Sequence, residues 1–180
     1  VDFLESMLSD ISSGKTQLPD FQRGWVWDDN NIKSLLASIS LSFPVGTVMF
    51  LETGNDAVKF KPRLVEGVSL TNGKEPNNLI LDGQQRLTSL YQALASGTVV
   101  ETHDTRKKKI KRWYYIDMVK ALDPNVDRED AIVSLPESKQ IKNFRGKITS
   151  DYSTPQLEYE SLLFPLQNVF NPSSWRNSFH

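Results

Sequence analysis

Asn78-Leu79-Ile80-Leu81-Asp82-Gly83-Gln84-Gln85-Arg86-Leu87-Thr88-Ser89-Leu90 changes its period in the middle. A short apolar run stops at five residues that are polar or lack a side chain. Apolar spacing resumes at Leu87, Leu90, Tyr91 and Leu94, three or four residues apart. The pattern predicts a buried strand, a tight turn and an amphipathic helix over about residues 83–96. The turn sets an acid, a bare backbone, two amides and a guanidinium at a helix N-terminus. There, unpaired N–H groups and the positive end of the helix dipole favour anions. The plainer alternative is that Asp82 caps the helix and Gln84, Gln85 and Arg86 form its solvated first turn.

Working outward, apolar residues at Phe3, Leu4, Met7, Leu8 and Ile11 predict a first helix over residues 2–13, stopped by Gly14. Thr16 to Leu18 reads as a short extended segment. Asp28 or Asp29 is a good N-cap for a second helix with Ile32, Leu35, Leu36, Ile39 and Phe43 on its inner face. Thr47 to Leu51 reads as a buried strand. The polar stretch from Glu52 to Asn78 carries weak strand signals at Val58–Phe60 and Leu64-Val65, with turns at Gly54-Asn55 and Asn72-Gly73. Val99 to Thr102 and Trp113 to Ile116 suggest a hairpin. Residues 123–130 read as a loop, Ala131 to Leu135 as extended, 137–153 as polar with two short helices, and Leu162 to Leu166 as an apolar strand interrupted by Pro165. Asn171-Pro172 opens a last helix. The expected class is α+β, with a dense core to about residue 118 and a looser extension over 119–180.

The 180 residues suffice for one good-sized domain, or one domain plus an appendage. Charged residues at 24% and hydrophobic residues at 38% exclude a disordered chain. No apolar run approaches the roughly 18–20 residues that span a bilayer, and no secretory signal is visible, so the expected setting is cytoplasmic and off the membrane. The absence of cysteine removes disulfides, thiol nucleophiles and Cys-based metal sites. The chain opens at Val1 and stops at His180 soon after a helix start, and reads as an N-terminal piece of something longer.

A net charge of −1 gives no global attraction to nucleic acid. Locally, Arg106, Lys107, Lys108, Lys109, Lys111 and Arg112 crowd one short segment ahead of Trp113-Tyr114-Tyr115, a density suited to phosphate contacts and DNA binding. The alternative is a solvated turn whose lysines guard a sheet edge. A second unusual cluster is Phe21-Gln22-Arg23-Gly24-Trp25-Val26-Trp27, where aromatics surround an amide, a guanidinium and a glycine outside any clear period. Trp25 and Trp27 read best as core anchors. Arg23 reads as a phosphate clamp, the alternative being an ion pair with a carboxylate such as Asp20.

Leu18-Pro19-Asp20-Phe21-Gln22-Arg23-Gly24-Trp25-Val26-Trp27, Phe43-Pro44-Val45-Gly46-Thr47 and Leu81-Asp82-Gly83-Gln84-Gln85-Arg86 occur in that order. The three segments resemble the N-terminal domain of the DGQQR-motif family, which includes GmrSD-type modification-dependent restriction enzymes and related phage-defence proteins. The resemblance covers about residues 1–118. It implies a ParB/sulfiredoxin-like α+β domain with a small mixed sheet flanked by helices. Residues 119–180 would then be an extension of that domain or the truncated start of the next. It further implies an NTP-binding and hydrolysing, DNA-sensing module, hence a Mg²⁺-dependent NTPase whose parent carries a C-terminal nuclease domain. The implied partners are a nucleoside triphosphate and DNA, modified DNA included. No glycine-rich P-loop ending in Lys-Ser/Thr is present, so this is not a Walker-type NTPase. His103 and His180, the two histidines, form no HNH-like cluster.

On that resemblance Asp82, Gln85 and Arg86 are the expected catalytic residues and Asp82 the expected Mg²⁺ ligand. Gln22, Arg23, Gly83, Gln84 and Arg86 are expected to hold the nucleotide phosphates. The same residues suit a binding switch that never turns nucleotide over. A third reading, further from the motifs, is a ParB-like nicking nuclease.

Overall fold

The apolar spacing of the first residues produces α1, Asp2–Ser12, which buries Met7, Leu8 and Ile11 and leaves Phe3 exposed. In the computed structural model, which describes residues 2–54 and 60–177, α1 leads into β1, Thr16–Pro19, buried along its whole length. α2, Asp29–Ser40, starts where Asp28 accepts the N–H of Asn31 at 2.8 Å. It buries Ile32, Leu36 and Ala37. β2, Met49–Glu52, β3, Pro62–Arg63, and β4, Asn78–Asp82, complete a four-stranded mixed sheet in the order β2-β4-β1-β3. Only the β1–β4 pair is parallel. α3, Gln84–Leu94, follows β4 after a single residue.

The β4–α3 unit is the centre of the main core. Ile80, Leu87 and Leu90 are fully buried, each contributing about 1.5–3 kcal/mol by leaving water. They pack with Leu8, Ile11, Leu18, Ile32 and Leu36 from the other elements. Gly83 makes the sharp strand-to-helix reversal at φ +87°. A Cβ there would stand 3.2 Å from Val48 and 3.4 Å from the Arg86 guanidinium.

β5, Val100–His103, and β6, Lys109–Asp117, form the expected hairpin, although β6 begins inside the cationic segment. β6 is the spine of a second sheet. It pairs with β5 over 109–112, with β7, Ile132–Pro136, over 112–116, and with β10, Leu163–Pro165, over 115–117. Short helices α4, Met118–Leu122, and α5, Arg128–Ala131, link β6 to β7. A separate hairpin of β8, Gln140–Lys142, and β9, Ile148–Asp151, precedes α6, Pro155–Glu160. After β10 a 3₁₀ turn, Leu166–Asn168, leads to α7, Pro172–Arg176. The class is α+β. No helix among the described residues is long and apolar enough to cross a membrane.

Several local expectations are corrected. β2 is the edge of its sheet rather than a buried strand, so Met49 and Phe50 stay exposed. α2 stops at Ser40, Ser42 turns at φ +61°, and Phe43 points to solvent instead of the helix's inner face. The strand signalled at Leu64-Val65 lies two residues earlier, at Pro62–Arg63. Residues 137–153 hold the β8–β9 hairpin instead of two short helices. Its turn is made by Asn143, whose side-chain Oδ1 accepts the N–H groups of Arg145 and Lys147 at 2.9 and 3.0 Å, and by Gly146 at φ +80°. Within the expected loop 123–130, α5 begins where Asp127 accepts the N–H of Glu129. The signals at Gly54-Asn55 and Val58–Phe60 fall largely outside the described residues.

Candidate functional site

The three motif segments meet at the top of β4. Gln22, Arg23, Trp27, Leu81, Asp82, Gly83, Gln84, Gln85 and Arg86 line one cavity of about 350 Å³. The sequence places these residues as many as 64 positions apart; the parallel pairing of β1 with β4 brings them together. Every residue expected to act on nucleotide lines this cavity, Arg23 and Arg86 included.

Most of the amides are committed to holding the 22–26 loop. Gln22 donates to the Leu81 carbonyl at 2.8 Å. Gln84, buried, donates to the Arg23 carbonyl. Gln85 engages the loop at both ends, donating to the Gly24 carbonyl at 3.1 Å and accepting the N–H of Val26 at 2.9 Å. Trp25 packs partly buried against the main core, and its indole N–H donates to Ser89 Oγ at 2.9 Å. The expectation of a core anchor is met by that tryptophan.

Arg86 reaches the other way. Its guanidinium donates to the Val45 carbonyl at 2.9 Å and the Thr47 carbonyl at 2.7 Å, and lies 3.9 Å from the Asp82 carboxylate. It thereby fixes the Phe43–Thr47 segment against the helix start. Gly46 is required for this approach: a Cβ there would fall 1.9 Å from Arg86 Nη1, and its φ is +92°.

Arg63 and Glu66 went unnoticed in the sequence. Arg63 donates to the carbonyls of Gln22 and Arg23 at 3.1 Å each. It also pairs with Glu66 at 3.0 Å, and Glu66 accepts the Trp25 N–H at 3.1 Å. The signal present was a basic and an acidic residue three apart inside a polar stretch otherwise read only for turns.

What remains available in the cavity is specific. The Arg23 side chain is exposed and makes no hydrogen bond or ion pair among the described residues, so it is not paired with Asp20. The Asp82 carboxylate is 63% exposed and, among the described residues, meets only Arg86. The first α3 N–H to find a carbonyl is that of Leu87, on Gly83 at 2.9 Å. Gly83 offers no capping side chain, which leaves the N–H groups of Gln84, Gln85 and Arg86 without an intrahelical acceptor. The arrangement offers positive potential, an exposed cation and one carboxylate around a polar hollow, a chemistry that suits phosphate oxygens.

The DNA-binding candidates lie apart from this cavity, on the β5–β6 hairpin. Arg106, Lys107 and Lys108 are in its turn, where Asp104 accepts the N–H groups of Arg106 and Lys108 at 2.8 and 2.9 Å. Lys109, Lys111 and Arg112 are in β6. Lys111 pairs with Glu137 at 3.1 Å and with Glu101 at 3.8 Å, which raises its pKa. Over Lys109–Lys111 β6 has β5 as its one strand partner, and β7 joins on the other side from Arg112 onward, so these lysines lie on a partly open edge next to an exposed turn.

No solved structure matches the chain. An uncharacterised protein of Methanocaldococcus jannaschii is 29% identical over 168 residues, 90% of this chain, and the chain spans 27% of that relative's length. The model of the GmrSD restriction endonuclease N-terminal domain matches residues 4–172, nearly the whole chain, and the chain belongs to that family.

Proposed function

We propose that the cavity at the β4–α3 turn binds the phosphates of a nucleoside triphosphate, and that the domain is the nucleotide-responsive, DNA-sensing module of a restriction-type defence protein. The observation that carries this reading is that Arg23, whose side chain has no hydrogen-bond or ion-pair partner among the described residues, lines the same cavity as the uncapped start of α3. Arg23 clamps phosphate oxygens, and the N–H groups of Gln84 to Arg86 receive them. Arg86 sets the shape of the cavity rim from its seat on the 45–47 backbone.

Mg²⁺ fits the cavity in a limited way. Asp82 is the one carboxylate that lines it, and no group of three or more His, Cys, Asp or Glu among the described residues forms a metal cage. Mg²⁺ is commonly held by one or two carboxylates together with substrate phosphates and waters. Asp82 would therefore hold the ion only alongside bound nucleotide, where the ion would screen phosphate charge. In the parent protein a C-terminal nuclease domain would use the nucleotide state, and the hairpin cations would contact DNA.

One observation favours binding without turnover as the second reading: Gln84 and Gln85, the groups suited to placing an attacking water, are both tied to loop carbonyls. A thermal-shift panel of ATP, GTP, CTP and UTP with Mg²⁺, on wild type and Arg23→Ala, tests the site. At about a hundredfold excess over Kd a ligand stabilises by about 2.7 kcal/mol, several degrees of Tm in a chain of this size. The expected result is such a shift for at least one nucleotide and its loss in Arg23→Ala. An equal shift in both proteins, or none in wild type, sinks the phosphate assignment. Phosphate release from the nucleotide that binds then separates the NTPase from the switch.

A further inference from the structure

Beside the nucleotide cavity runs a larger groove of about 640 Å³, between the 25–27 loop and the β5–β6 hairpin. Trp27 lines both. We infer that this groove is a single-stranded DNA site, in which an unpaired base stacks on the tryptophan loop and Arg112 meets an adjoining phosphate. The inference deepens the DNA-sensing half of the function proposed above and rests on it.

Three observations carry it. Arg112 lines the groove, makes no hydrogen bond or ion pair among the described residues, and has its Nε buried without a partner. Its neighbour Lys111 takes both nearby carboxylates, Glu137 and Glu101. With the two groove glutamates engaged by Lys111, the half-buried Arg112 guanidinium has no acceptor of its own among the described residues and is left to meet one brought into the groove. Next, the indole-bearing loop is a fixed platform. Thr102 donates to the Trp27 carbonyl at 2.7 Å, His103 Nε2 meets the Val26 carbonyl at 2.9 Å, and Trp25 is anchored to Ser89. Held aromatic rings along a cationic groove are how proteins take single strands without reading their sequence. Finally, the charge continues past the groove: Lys109 lines it, and exposed Arg106, Lys107 and Lys108 extend it along the hairpin turn. A run of cations leading away from a stacking site suits a polyanion that passes through rather than a single nucleotide. A base inside a duplex is stacked on its neighbours and shut off from the indoles, so the strand must be unpaired there.

Fluorescence anisotropy with a labelled twelve-residue oligothymidylate, and with the matching duplex, tests the site on the whole chain. Wild type should bind the single strand at least tenfold more tightly than the duplex. Arg112→Gln should weaken single-strand binding about tenfold. Trp27→Leu should weaken it by a similar factor, while Trp27→Phe, which keeps a ring, stays within a few-fold of wild type. Thermal melting of each variant checks folding, and Arg112→Gln decides alone if Trp27→Leu does not fold. Equal affinity for duplex and single strand, or wild-type binding by Arg112→Gln, overturns the proposal. Nucleotide stabilisation is read in the same wild-type samples. Its presence without oligonucleotide binding overturns the groove and leaves the nucleotide cavity standing; the reverse result does the opposite.

Discussion

Arg86→Ala will unfold at a Tm lower by on the order of 5–10 °C, before any ligand is considered. Its guanidinium makes two hydrogen bonds to backbone carbonyls, at 2.9 and 2.7 Å. Bonds to a charged donor contribute about 1.5–3 kcal/mol each when their loss strands the partner. The Asp82 contact at 3.9 Å, with that carboxylate 63% exposed, adds little through solvent screening. The Thr47 bond is solvent-exposed and keeps only part of that value, so the expected loss is about 2–4 kcal/mol, which in a chain of this size moves Tm by the stated amount. Gly46→Ala tests the geometry from the other side. Its Cβ would occupy the space of Nη1 at 1.9 Å and its φ of +92° disfavours any L side chain. With Arg86 already gone, only the backbone strain remains, so the two substitutions together will cost less than their sum. Additive losses, or an Arg86→Ala protein as stable as wild type, would show that the guanidinium does not hold the 45–47 segment. For the same reason nucleotide binding lost in Arg86→Ala reports a collapsed rim as readily as a missing phosphate contact. Arg23, exposed and unpartnered, is the cleaner probe; its removal will leave stability within about 0.5 kcal/mol.

The strand–turn–helix unit at the centre of the domain was legible because three independent signals agree there. Leu79 to Leu81 form an apolar run, Gly83 supplies the reversal, and Leu87, Leu90, Tyr91 and Leu94 set a helical period. Membership of the cavity was legible too, because the motif residues sit at fixed places around that unit. Their partners were not. Gln22, Gln84, Gln85, Arg63 and Arg86 all bond to backbone carbonyls 39 to 61 positions away, and a carbonyl leaves no mark in a sequence. That is why an amide motif that reads as chemistry turns out to be bracing a loop as well. Edge position was equally invisible. Thr47 to Leu51 has the composition of an interior strand, but whether a strand has one neighbour or two is decided by the chain that packs beside it. The β8–β9 hairpin was missed because Ile141 and Ile148 are both exposed, so no buried face imposes a period of two on its sequence.

Glu158→Ala will cost about 3 kcal/mol, although Glu158 lies far from both proposed binding sites in the chain and carried no signal in the sequence. Its carboxylate is 3% exposed and accepts three donors: the Tyr115 hydroxyl at 2.6 Å, the Trp175 indole N–H at 3.1 Å and Lys139 Nζ at 3.2 Å. Burial and the facing carboxylate push the Tyr115 phenol well above its ordinary pKa, so it stays a donor. Removing one member of a buried charged pair costs about 3–5 kcal/mol because the other is stranded. The lower end applies here, since Lys139 is 28% exposed and keeps its place 4.9 Å over the Trp113 ring. Glu158→Gln, which preserves shape and an acceptor, will lose roughly half as much. The effect will be felt by the whole domain. β6 carries Tyr115 at one end and Arg112 nearer the other, and the main core includes Ile132 and Leu166 from beyond residue 118. Urea unfolding of Glu158→Ala will therefore show one transition, with a lower midpoint and an unchanged slope. Two transitions, with the α3 core outlasting the β10 and α6 region, would mean that residues 119–180 fold independently of the β4–α3 cavity and cannot transmit its state through β6.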